Sequence, residues 1–192
     1  MISRLRPYLW FKLLNSLFFG LSTGSVFVLY APLEPSVYSL GGIVLALGLL
    51  VVAKFYERMM NARVFFAITL MVECVTLVMV AGFLLFSYSH MTALFIYASY
   101  QFTFMFGGYL VRVETVALRR SKLMGFIDVA KQKGYLVGMV LAYGFYKALE
   151  WQGIEDKQMQ VYVLHFGLFA LQCLILFLII RAFTCKGNLP RI

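Results

Sequence analysis

Six stretches of this chain carry almost no charge, and each is long enough, or nearly so, to cross a bilayer. A chain patterned in this way has few folds open to it. Backbone polar groups inside hydrocarbon must be satisfied within their own segment, which favours helices, and each crossing needs about 20 apolar residues. Lys12 and Glu34 enclose the first run, 13–33; Pro32 and Pro35 then break the chain, and the second run, 36–53, ends at Lys54. Between Arg63 and Arg112 only Glu73 is charged, and the polar Ser87-Tyr88-Ser89-His90 divides this stretch into spans at 64–86 and 92–112. The fifth, 125–149, is free of charge only from Gly134 to Tyr146 and needs Lys147 to reach outward to the interface; the sixth is 158–180, before Arg181. The expected fold is all-α: a polytopic membrane protein with six transmembrane helices in a single domain, 1–192. Composition agrees, with 13% charged residues where a soluble chain carries about 25%.

Fifteen of the 17 Lys and Arg fall in the N-terminal segment, at 54–63, at 112–133 and in the tail; only Lys147 and Lys157 fall on the other side. The positive-inside rule therefore predicts that both termini and the two longer loops are cytoplasmic. The opposite face carries Glu34, Glu150, Glu155 and Asp156. A net charge of +9 follows from this topology, so it does not argue for nucleic acid as a partner; the bilayer is the expected one. Arg4 and Arg6 precede an apolar run too long for the core of a signal peptide, which reads as a retained first helix. Compact loops and the absence of a targeting segment point to a bacterial inner membrane.

Cys74, Cys173 and Cys185 fall within spans or on the cytoplasmic side and do not suggest disulfides. No C-x-x-C, H-E-x-x-H, phosphate-binding loop or nucleophile elbow occurs, and His90 and His165 are too few for a metal site. Neither an enzyme nor a cofactor-binding protein is expected.

Glu73 is the sharpest residue for function. It lies near the middle of the third span, where a bare charge costs about 3 kcal/mol, so it should be protonated or paired. It is a candidate for proton coupling, or else a neutral group bonded to a neighbouring helix. Span one carries Asn15 and then Gly20-Leu-Ser22-Thr23-Gly24-Ser, a small and polar stretch that suits either close helix packing or a bend beside a cavity. In span four, Tyr97 and Gln101 share a face with Phe104; that face should line a cavity or make buried hydrogen bonds, and Gln172 in span six is similar. Arg112, Glu114, Asp128 and Lys131 fall at the cytoplasmic ends of spans four and five, either serving topology or forming a network that locks those ends together.

The loop Ala53-Lys-Phe-Tyr-Glu57-Arg58-Met-Met-Asn61-Ala-Arg63 keeps an acid–base pair and a later Arg. Gly134-Tyr-Leu-Val-Gly138 followed by Gly144 repeats glycine, and Arg119-Arg120-Ser-Lys122-Leu-Met-Gly125 forms a basic loop before it. Together with six spans and cytoplasmic ends, these features resemble one half of a major facilitator superfamily transporter. The loop lacks the family's glycine and has Glu for its Asp, and the fifth span lacks its proline. The resemblance implies that Glu57, Arg58 and Arg112 join a cytoplasmic gate and that spans one and four line the path; Gly134 and Gly138 of its fifth-helix pattern, like Gly20 and Gly24 by their own G-x-x-x-G spacing, are expected to serve helix packing. Glu73 matches no motif of that family. Members normally have two such halves, so the resemblance also implies a parallel homodimer, or pairing with a second half-transporter.

Three functions are consistent with these features. The first is a secondary transporter of a small solute, working by alternating access as a homodimer with proton coupling through Glu73. The second is a substrate-binding membrane subunit of an ATP-driven vitamin importer, for which Gly20-x-x-x-Gly24 would be the docking face. The third is a non-transporting accessory subunit.

Overall fold

The computed structural model describes residues 5–30, 33–118 and 121–183; Arg4, Pro32, Arg119, Arg120, Cys185 and the basic tail residues Lys186 and Arg191 lie outside them. No described residue is in a strand. The helices are α1 (Leu5–Ser22), α2 (Val26–Leu29), α3 (Pro35–Lys54), α4 (Tyr56–Met59), α5 (Ala62–Leu85), α6 (His90–Leu118), α7 (Ser121–Trp151) and α8 (Lys157–Phe183).

Local chemistry accounts for their ends. Pro35 opens α3, where a missing N–H costs nothing. Asn61 caps α5 by accepting from the Val64 amide at 2.9 Å, and Asp156 accepts from the Gln158 and Met159 amides at the start of α8. After α7, Gly153 turns at a positive φ of 82°. The Gly153 and Ile154 amides then close back onto the Glu150 and Leu149 carbonyls, each at 3.0 Å.

The first hydrophobic run is not one continuous helix. α1 ends at Ser22 and the chain turns before α2. Three hydroxyls compete there for backbone carbonyls: Ser22 Oγ and Thr23 Oγ1 donate to Phe19 O, and Ser25 Oγ to Ser22 O at 2.7 Å.

The six long helices alternate in direction. The start of α1 meets the ends of α6 and α8, through Tyr8 with Glu114 and Tyr8 with Phe183. At the other end Tyr97 of α6 donates to Tyr38 O of α3, and Tyr88 donates to Gln158 O in the first turn of α8. The first of these is the terminal end of the bundle and the second its hairpin end. α1 packs most heavily on α7 and then on α8; α5 packs on α6 and α8, and α3 on α6. Exchanging α1, α3 and α5 with α6, α7 and α8 carries these pairings into one another, a two-fold arrangement in the order of helix pairing, although the α1–α7 contact is much more extensive than the α3–α6 contact.

The two flanking helices attach by different means. On α7, a Cβ at Gly134 would lie 2.1 Å from Leu13 O and one at Gly138 2.4 Å from Leu17 O, so backbone lies against backbone. On α3, Gly41 and Gly48 instead leave notches that receive the side chains of Tyr97 and Met105.

Among the described residues, three helices, α3, α5 and α8, are long and apolar enough to cross a membrane. Leu47, Leu50, Leu136, Val140 and Phe177 face outward and exposed, while Glu73, Glu114 and Gln172 are buried. An apolar exterior around a partly polar interior suits a helical membrane protein.

Gly138→Val should weaken the bundle by about 1–3 kcal/mol or more, as expected for overpacking, because the three atoms nearest an added Cβ are all backbone. Gly144, with no atom within 4 Å of an added Cβ, should accept Ala with unchanged or slightly higher stability. Thermal unfolding of both variants in mild detergent checks the contrast.

Candidate functional site

The interior polar site begins with Glu73, 5% exposed in the middle of α5. Asn15 Nδ2 of α1 donates to Oε1 at 2.7 Å. Gln172 Nε2 of α8 donates to Oε2 at 2.7 Å and to the Glu73 carbonyl at 2.9 Å. Three helices thus converge on one carboxyl group, and both its oxygens accept from neutral amides rather than from a cation. Gln172 Oε1, also buried, has no hydrogen-bond partner among the described residues.

Glu73 and Asn15 line a cavity of about 240 Å³ between α1, α5 and α6, which Lys12 and Lys131 also border. Thr69, Thr76 and Thr103 border it too, but their hydroxyls donate to the Phe65, Val72 and Tyr100 carbonyls of their own helices. The polar demand of those threonines is met locally, which leaves Glu73, Asn15 and the two lysines as the cavity's polar groups.

Toward the terminal end lies a second buried acid, Glu114 of α6, 4% exposed. Tyr8 OH donates to its Oε1, Lys12 Nζ lies 3.1 Å from the carboxylate, and Lys131 Nζ lies 3.4 Å from Oε2. Lys131 also pairs with Asp128 at 3.6 Å. Burial pushes the Glu114 carboxyl up, but the Lys12 ammonium, the Tyr8 hydroxyl and Lys131 outweigh it and hold the group below its ordinary value of 4.5. One carboxylate therefore ties α1, α6 and α7 together.

Comparison with protein families, with characterised proteins and with solved structures returns no significant match. The chemistry of the site therefore has to be read from these residues alone.

Asn15, Glu73 and Gln172, expected to contribute polar groups on three different spans, meet directly. Ser22 and Thr23 lie at the end of α1, with Thr23 Oγ1 3.4 Å from Tyr135 OH. Tyr97 stacks edge-on with Tyr30 and Tyr38 near the hairpin end. Gln101 lies between Tyr97 and Met105 on the α6 face that packs on α3, and its buried Oε1 has no partner among the described residues. These four residues do not border the cavity beside Glu73.

Of the expected gate residues, Glu114, Asp128 and Lys131 come together. Arg112 instead covers the Tyr56 ring, 5.4 Å from its centroid, and Glu57 and Arg58 are exposed on α4, apart from the Glu114 cluster. Gly20, Gly134 and Gly138 form the close α1–α7 contact, whereas a Cβ at Gly24 would make only ordinary contact with the Tyr146 ring. Tyr8 and Lys12 were not anticipated. The spacing of Tyr8, Lys12 and Asn15, i, i+4 and i+7, was the available signal.

Because the folded-state value of Glu114 is depressed, its stabilisation is complete above the ordinary carboxylate range and is lost as pH falls through the folded value. Glu114→Gln should cost about 3 kcal/mol at neutral pH by leaving the buried Lys12 without its carboxylate partner, Lys131 keeping Asp128. The gap to wild type should close in acid. Unfolding midpoints measured across pH decide this, and a gap that does not change with pH would count against the ion cluster.

Proposed function

We propose that this chain is a six-span membrane protein with both termini in the cytoplasm, residing in a bacterial inner membrane. In this reading it carries a small solute by alternating access, as a parallel homodimer of half-transporters, with proton coupling through Glu73. The observation that carries the proposal is the Glu73 carboxyl, buried at mid-helix, bonded from two other helices and bordering a cavity. A carboxyl with uncharged partners can exist in either protonation state, and a change of state alters which helices it holds. The Glu114 cluster supplies a second, breakable tie between α1, α6 and α7 at the terminal end. Alternating access needs ties of this kind, made in one state and released in another.

The two-fold order of helix pairing supports the half-transporter resemblance, since many carriers are built from inverted repeats. The glycine pair proposed for docking an ATP-driven module is less suited to that role, because Gly20 lies against the Gly138 backbone of α7.

In proteoliposomes, an imposed proton gradient should drive net solute flux, and Glu73→Gln should abolish the gradient-driven flux while retaining folded protein. Flux indifferent to the gradient and unchanged in Glu73→Gln would refute the coupling. Single cysteines replacing Glu57 and Glu150 in a cysteine-free background should be labelled from opposite sides of the membrane. Labelling of both from one side would overturn the topology, and a monomeric mass in detergent and in bilayers would overturn the dimer.

A further inference from the structure

Charge balance and wall chemistry together point to the class of solute, an inference that rests on the carrier reading above. The terminal-end cluster is self-neutralising: Lys12 and Lys131 are matched by Glu114 and Asp128. Glu73 makes no ion pair and has amide donors from Asn15 and Gln172 as its hydrogen-bond partners, with Lys12 near enough to attract its charge while held by Glu114. A carboxylate offers about four lone-pair sites, and these two donors leave room for something more.

The cavity beside it is lined by Phe11, Phe18, Phe19, Phe65 and Phe104; Phe19 and Phe104 are exposed at its edge, the other three are buried, and Phe11 already carries the Lys12 ammonium 5.5 Å from its ring centroid. Aromatic faces attract cations, and more strongly when water is excluded. A carboxylate without an ion-pair contact beside aromatic rings is therefore the complement of a cation with an apolar body.

We propose that the Glu73 cavity takes an organic monocation, of the alkyl- or aryl-ammonium class, and that this cation and a proton compete for the Glu73 carboxylate. The exchange balances: a cation entering the protonated site leaves Glu73 ionised and paired with it, and releases one proton. A carrier built on that competition exchanges protons for cations across the membrane.

The charged and titratable groups around Glu73 fit this assignment. Lys12 of α1 and Lys131 of α7 border the cavity but are held at its terminal end by Glu114. The stretch of α6 that borders the cavity, Thr103 to Val111, carries no charge. On α8 the nearest group is Gln172, with His165 two turns away against the Phe83 ring, 4.2 Å between centroids.

The test uses the full chain in nanodiscs with benzyltrimethylammonium as the probe, phenylacetate as its anionic counterpart and benzyl alcohol as the neutral one. Benzyltrimethylammonium should bind in preference to both, more tightly at alkaline than at acid pH, with protons released on binding. Glu73→Gln should weaken it by about tenfold or more, equivalent to roughly 1.4 kcal/mol, and remove the proton release. Should Glu73→Gln fail to fold, Phe104→Ala at the rim and the wild-type proton release still decide the matter. The rim variant should weaken the probe several-fold with the pH dependence kept. Preferential phenylacetate binding, binding without proton release, or no binding of the probe would each overturn the inference. Flux of an anion or a neutral solute would do the same while leaving the carrier reading intact. Conversely, a cation that binds with proton release but is not exchanged across a proteoliposome membrane would refute the carrier and leave the site standing.

Discussion

A carboxyl group placed mid-helix in an apolar bundle must be met by hydrogen bonds, because leaving it bare costs several kcal/mol. The bonds to Glu73 come from α1 and α8, so one side chain sets the depth and rotation at which α1, α5 and α8 pack. Asn15 can reach Glu73 only if α1 presents its 8–12–15 face inward, and that rotation also delivers Tyr8 and Lys12 to Glu114. The opposite side of α1 is then free for α7, where glycine lets the two backbones touch. The two buried acids and the close α1–α7 contact are thus consequences of one helix orientation.

α1 is accordingly the element through which the parts communicate. It bonds Glu114 at one end, Glu73 at its middle, and breaks into a turn at Thr23–Ser25 where hydroxyls take over its last carbonyls. A helix tied to two carboxylates on two different helices links their surroundings through one rigid element. This coupling is mechanical and local, and it needs no rearrangement of the α3–α6 pair, which is held by side chains in glycine notches. The α7 contact resists sliding more than the α3 contact does, since close-packed backbone has fewer ways to yield than a flexible Met105 side chain.

Much of the interior could be read along the chain because burial of polar groups is costly and therefore conspicuous. Glu73 stands out as the one charge in its apolar run, and Asn15 and Gln172 as the amides on other spans able to answer it. Tyr8 and Lys12 were passed over since, at the edge of a hydrophobic run, a lysine reads as an interfacial anchor; only the position of Glu114 across the bundle makes it a partner. Gln101 and Tyr97 share a helical face as their spacing requires. Which neighbour that face meets depends on where α3 packs, and periodicity carries no such information. Likewise, the small and polar stretch 20–25 leaves close packing and a bend open; both occur, Gly20 packing on α7 and the hydroxyls beyond it taking backbone carbonyls at the turn after Ser22.

By itself the sequence determined the helical class, an apolar exterior that suits a membrane protein, and the mid-helix place of Glu73 in an apolar run. Each of these follows from transfer free energy, a sum over residues that needs no knowledge of neighbours. Only the tertiary structure decided that Glu73 meets two neutral amides while Glu114 gathers the lysines, and that five phenylalanines share a cavity with the first acid. Those are matters of which helix faces which, settled by shape and by the single rotation of α1 that satisfies both carboxylates at once.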